Sequence, residues 1–192
     1  MCKKKFLLVI DTQNDFIDGV LGTSEAKAIV PNVVEKIKNH DGWVIATQDT
    51  HFYNYLDTQE GKKLPVEHCI CGAWGWKINS DIEEAIFEKE HYAVQSKTTF
   101  GDTDIMKMRL YNTDGEFWYD YTPLGHDIES IEIVGLCTDI CVVSNALILK
   151  AEYPEVKITV DASCCAGVTP ATHKAALEVM KMCQIEVIND TE

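Results

Sequence analysis

A chain of 192 residues with 46% hydrophobic side chains can bury one core of its own and sets no demand for two domains. Its formal net charge of −14 at pH 7 is spread along the sequence, which argues against nucleic acid and anionic membranes as partners. No apolar run reaches the roughly 18 residues that a membrane helix requires.

Residues 1–5 lead directly into the apolar run FLLVI, which is too short for a secretory segment. Eight cysteines would suit a disulfide framework in a small secreted chain, but not in a domain of this size. The expectation is a soluble cytoplasmic protein with mostly reduced thiols.

Residues 5–10 form a continuous apolar run, as in a strand buried on both faces. Helical spacing follows over 24–39, with Ile29, Val33, Val34 and Ile37 on one side and Ser24 as N-cap. A second strand covers 43–47. Residues 50–77 have no clean period and hold glycines, prolines and tryptophans, which suggests a long functional loop. A short helix over 80–88 behind a Ser80 cap, a third strand over 91–95 and a helix over 103–111 come next. The aromatic stretch 111–127 reads as an irregular or edge element. Strands over 131–136, 156–160 and 185–188 alternate with helices over 139–150 and 170–183. This alternation specifies a three-layer α/β/α fold, with a six-stranded parallel sheet covered on both faces. Ligands in such sheets bind beyond the carboxyl ends of the strands.

Asp11, Asp49, Lys97 and Cys141 all follow apolar strands and should gather on that edge. A strand, a turn and a helix starting near Asp139 would put Cys141 at a helix N-terminus, where the dipole and backbone N–H groups favour thiolate. The N–H groups of Cys141 and Cys137 are candidates to hold a developing oxyanion. The bland alternative is a buried structural cysteine. Lysine at a buried strand end needs a partner, and Asp11 can be that partner while also taking a proton from a thiol. Cysteine as nucleophile, aspartate as base and lysine as charged clamp suit acyl transfer, although a structural ion pair has the same spacing.

Asp49 and His51 are two residues apart and point the same way in extended backbone, and His68 lies in a loop long enough to fold back. Together they are a reasonable ligand set for Zn²⁺, Fe²⁺ or Mn²⁺, with Glu60 or Glu67 as a further oxygen donor. Solvated loop histidines are the alternative. A thiolate zinc site at Cys69 and Cys71 lacks the usual spacing.

Five segments resemble the isochorismatase-like cysteine hydrolases, and among them most the nicotinamidases: LLVIDTQNDFIDG (7–19), TQDTH (47–51), LPVEHCICGAWGW (64–76), QSKTTFGDTD (95–104) and VGLCTDICV (134–142). The resemblance spans nearly the whole chain and implies Asp11, Lys97 and Cys141 as catalytic residues. It also implies an oxyanion hole from the backbone of Cys137 and Cys141, with a cis peptide at Leu136–Cys137. Asp49, His51 and His68 match metal ligands that hold a pyridine nitrogen, with Glu60 as a further candidate, and Phe16 matches an aromatic pocket wall. Leu64 stands where relatives carry an aromatic residue, and Cys137 completes the pocket. Also implied are hydrolysis of nicotinamide in NAD salvage, a divalent metal (zinc, or iron or manganese) and a homo-oligomer. The rival readings are an amidase for another small amide or carbamoyl compound, and a non-catalytic α/β binding module. The lack of C-x-x-C disfavours a thiol redox protein.

Overall fold

The computed structural model describes residues 3–111 and 117–190. Six parallel strands form one sheet in the order β3-β2-β1-β6-β7-β8. They are β1 (Lys4–Ile10), β2 (Trp43–Asp49), β3 (Tyr92–Lys97), β6 (Ile128–Leu136), β7 (Lys157–Ala166) and β8 (Glu186–Ile188). Helices α1 (Asn14–Ile17), α2 (Ser24–Asn39), α3 (Gln59–Lys63), α4 (Ser80–Phe87), α5 (Val143–Glu152) and α6 (Pro170–Met182) lie between them. A two-stranded antiparallel pair, β4 (Met108–Tyr111) and β5 (Phe117–Tyr121), stands apart from the sheet. No helix among the described residues is long and apolar enough to cross a membrane.

Alternation along the strands builds two cores. Phe6, Leu8 and Ile10 of β1 face Val142, Ala146, Leu149, Leu177 and Met180 from the α5–α6 side. Leu7 and Val9 turn the other way, toward Ile29, Val33 and Ile37 of α2 and Ile82 and Ile86 of α4. Strand β1, paired on both edges, therefore has Phe6 to Ile10 fully buried. The strand order reverses between β1 and β6, so the carboxyl ends of these two strands flank the crevice where such sheets bind ligands. Gly135 makes the close approach possible. Its φ is +117°, and a Cβ there would lie 2.1 Å from the Ile10 carbonyl oxygen.

Several local expectations are corrected. The helix expected over 103–111 is a turn followed by β4. The Asp104 amide bonds to the Asp102 side chain, an Asx turn that competes with helix, and Ile105, Met106 and Met108 are buried against the core. Helix α2 is capped by Thr23, whose side chain accepts from the Ala26 amide, and α4 by Asn79; Ser24 and Ser80 are their first helical residues. Strand β7 runs on through Cys164 and Cys165. Cys141 lies in a π-helical turn, Thr138–Val142, that precedes α5. Part of the aromatic stretch 111–127 falls outside the described residues. Tyr121, at its described end, packs against Trp43 and Lys4 at the amino ends of the strands, away from the crevice.

Helix α2 is tied to the sheet by a partly buried polar cluster around the buried Asp161. Lys36 Nζ lies 2.7 Å from Asp161 and 2.8 Å from Glu132, while Ser163 and Asn189 also donate to Asp161. Burial opposes the charged carboxylate, but Lys36, Ser163 and Asn189 outweigh it and hold Asp161 below its usual pKa. A lowered folded pKa adds stability above the unfolded value of about 4, and that stability is lost as pH falls through the folded value. Lys36→Met should cost about 3 kcal/mol in urea unfolding at pH 7, because it strands a buried carboxylate that keeps its other donors. The deficit should shrink as pH drops below about 4. An equal deficit at pH 7 and pH 3 would refute this account.

Candidate active site

The residues singled out from the sequence converge at the carboxyl end of the sheet. Lys97, the last residue of β3, buries its ammonium 2.7 Å from Asp11 Oδ2, 3.5 Å from Cys141 Sγ and 3.5 Å from Asp49 Oδ1. It also donates to the Thr99 carbonyl at 3.0 Å. Asp11 follows β1 with φ of +45°, in the left-handed region that side chains seldom adopt. This backbone is held by Thr47, whose hydroxyl accepts from the Asp11 amide and donates to Asp11 Oδ1 at 2.7 Å.

Burial dominates the electrostatics. It pushes the Cys141 thiol well above its usual pKa; Asp11 adds to the shift and Lys97 opposes it. Burial also raises Asp11, against the pull of Lys97 and with a push from Asp49. Lys97 itself is raised: burial disfavours its charge, but Asp11, Cys141 and Asp49 more than compensate. Burial thus favours the protonated thiol and the protonated carboxyl, while Lys97 opposes both shifts.

Next to it stands a set of metal-type donors. Ligand atoms of Asp49, His51 and His68 all lie within 4.8 Å of one another. Glu60, carried in by α3, puts Oε1 3.5 Å from His51 Nε2 and 3.8 Å from His68 Nε2. Glu67 is exposed. The His68 Nδ1 hydrogen bonds to the Val66 carbonyl at 2.8 Å, which fixes the proton there and leaves Nε2 as a lone pair. His51 Nε2 is buried and makes no hydrogen bond, although Asp49 Oδ2 is only 3.0 Å away. An orphaned ring nitrogen, a second fixed lone pair and two carboxylates aimed at one point fit a divalent cation. Cys69 and Cys71 are not part of this grouping, and the seven described cysteines are all unpaired.

Cys141 of the first group and Asp49, Glu60 and His68 of the second line one cavity of about 590 Å³, as do Phe16, Leu64 and Cys137. The Phe16 ring meets His68 edge-on, with centroids 5.6 Å apart. The peptide bond Leu136–Cys137 is cis.

Four buried supporting residues were missed in the sequence. Gln13 bonds through its side chain to the backbone of Asp49 at both N–H and C=O, and to the Trp76 carbonyl. Asn145 donates to the Cys141 carbonyl at 2.8 Å and the Phe100 carbonyl at 3.3 Å, and accepts from the Asp102 amide. It thus joins the turn carrying Cys141 to the segment after Lys97. Tyr55 packs against the rings of His51 and His68, and Thr47 braces Asp11. Only Thr47 carried a signal, since it shares a strand face with Asp49.

The sequence matches the isochorismatase domain over residues 5–192. It is 27% identical over 194 residues to the nicotinamidase/pyrazinamidase of Mycobacterium tuberculosis, covering 95% of this chain and 97% of that one. The solved nicotinamidase/pyrazinamidase of Bacillus subtilis superposes with a TM-score of 0.74 at 22% identity, covering 96% and 98%. The pyrazinamidase of Pyrococcus horikoshii, solved in complex with zinc, gives 0.69 at 20% identity, covering 96% and 98%. With a domain match across nearly its whole length, the chain belongs to the isochorismatase family.

Proposed function

We propose that this chain is a metal-containing cysteine amidohydrolase that converts nicotinamide to nicotinate and ammonia, working as one hydrolase domain. One observation carries the reading: a buried lysine touches an aspartate, a thiol and the carboxylate of a metal-type donor set, and that thiol and that carboxylate line one cavity. The names of the curated relatives support the same substrate class.

Asp11 takes the proton from Cys141 as sulfur attacks the carboxamide carbon, and Lys97 stabilises the charge on either partner. The backbone N–H groups of Cys137 and Cys141 receive the oxyanion. Asp11 then returns the proton to the amine, the C–N bond breaks and ammonia leaves a thioester on Cys141. Water, deprotonated by Asp11, attacks the thioester carbon, and nicotinate departs as the thiol reforms. Asp49, His51, His68 and Glu60 would hold a divalent ion, zinc by preference, which when bound supplies a Lewis-acid contact for the ring nitrogen. Phe16 packs against the ring face.

Ammonia release from nicotinamide should fall at least about a thousandfold in Cys141→Ala, with metal content unchanged. Turnover that survives the substitution would remove Cys141 as nucleophile. His51→Ala should lose most of its bound metal, measured by elemental analysis, and raise KM; full metal retention would sink the ligand assignment. Asn145 is a positioning residue for both Cys141 and the Lys97 segment. Asn145→Ala should lower kcat about a hundredfold with a much smaller change in KM. A loss of thermal stability with kcat intact would reduce it to a purely structural part.

A further inference from the structure

The cavity is larger than nicotinamide requires, and its lining is mostly apolar. A volume of about 590 Å³ falls within the roughly 300–1,000 Å³ typical of sites that enclose drug-sized ligands. A bare one-ring carboxamide would leave much of that volume empty.

Beside the exposed polar residues Gln59, Lys63, Thr98 and Thr99, three large apolar side chains that line the cavity stand exposed: Leu64 at 38%, Phe100 at 46% and Val168 at 53%. They come from three separate connections, after α3, after β3 and after β7, and only the fold brings them to one rim. Exposed apolar groups that converge on a cavity mark ligand grooves, whereas scattered ones need no explanation. Each rim residue is also pinned through its backbone by a side chain from elsewhere. The Asp139 carboxylate accepts from the Val168 amide at 3.0 Å, the Tyr55 hydroxyl donates to the Leu64 carbonyl at 2.9 Å, and Asn145 donates to the Phe100 carbonyl. An apolar rim held in place before a ligand arrives loses little order on binding. Of the charged lining groups, Asp49, Glu60 and His68 belong to the inner donor cluster; Lys63 is the cation nearer the surface.

We infer that the rim formed by Leu64, Phe100 and Val168 is a subsite for an uncharged apolar substituent, so that the preferred substrates are ring carboxamides extended by an alkyl or aryl group. This inference rests on the amidohydrolase reading and adds the substrate class to it. The test is kcat/KM for ammonia release from nicotinamide and from a series of alkyl- and aryl-substituted nicotinamides, in the metal-loaded wild type and in Val168→Ser. The inference expects kcat/KM to rise about fourfold for each methylene that the rim covers. It also expects the ratio of substituted to unsubstituted amide to fall in the variant. If nicotinamide is hydrolysed and every substituted amide is slower, the subsite is refuted while the amidase survives. A ratio unchanged in Val168→Ser, or a preference for carboxylate-bearing substituents that would pair with Lys63, also overturns it. Failure to release ammonia from any of these amides would overturn the amidohydrolase reading and this inference together.

Discussion

Lys97 carries its ammonium into a nearly dry end of the sheet, and much of the surrounding chain is arranged so that this charge never stands alone. Moving such a group out of water is expensive, and an incomplete set of partners would destabilise the fold. The carboxylates of Asp11 and Asp49 and the carbonyl of Thr99 supply the counterparts. Each position follows from the sheet. Asp49 pairs in register with Lys97 across β2 and β3, and Asp11 leaves β1, the next strand over. The fold thus converts adjacency of strand ends into adjacency of charges.

That arrangement explains what was legible in the sequence. Strands β1 and β2 are buried on both faces, so their apolar runs stand out and lead to Asp11 and Asp49, whereas β3, the edge strand that carries Lys97, is partly exposed. Strand-end polarity then pointed to one edge. The 103–111 segment misled because its apolar residues at 105, 106 and 108 imitate a helical stripe, whereas local side-chain bonds from Asp102 close a turn. The caps of α2 and α4 slipped by one residue because Thr23–Ser24 and Asn79–Ser80 each offer two adjacent capping side chains; only the first of each pair has the non-helical backbone that a cap requires. Gln13 and Asn145 were invisible for another reason. Their partners are backbone groups 36 or more residues away, or in a π turn that no periodicity announces.

The supporting residues show how the two halves of the site are kept in register. Gln13 fixes the backbone of Asp49 from the turn after β1, so the donor set is anchored to the same connection that presents Asp11. Asn145 does the same between Cys141 and the segment after Lys97. Amide side chains suit this work because they bond to backbone donors and acceptors at once without bringing another charge into a region already crowded with carboxylates. Asp11 and Asp49 share a single buried lysine here, Glu60 adds a third carboxylate beside His51 and His68, and that surplus of negative charge matches a donor set shaped for a cation.

In the amidohydrolase reading, burial has a further consequence for proton transfer. It raises the thiol of Cys141 and the carboxyl of Asp11 in the same direction, so it favours the protonated form of both donor and acceptor. Lys97 touches both groups and stabilises whichever holds the negative charge: carboxylate before the transfer, thiolate after it. The ammonium therefore need not move as the proton does. Thr47 occupies one oxygen of Asp11 and Lys97 the other, yet a carboxylate has about four lone-pair sites, so capacity remains for the thiol and later for the amine. A strained backbone at Asp11, braced by Thr47, holds its carboxylate against Lys97. The expensive buried charge and the strained turn are thus parts of one device, in which neither would have a use without the other.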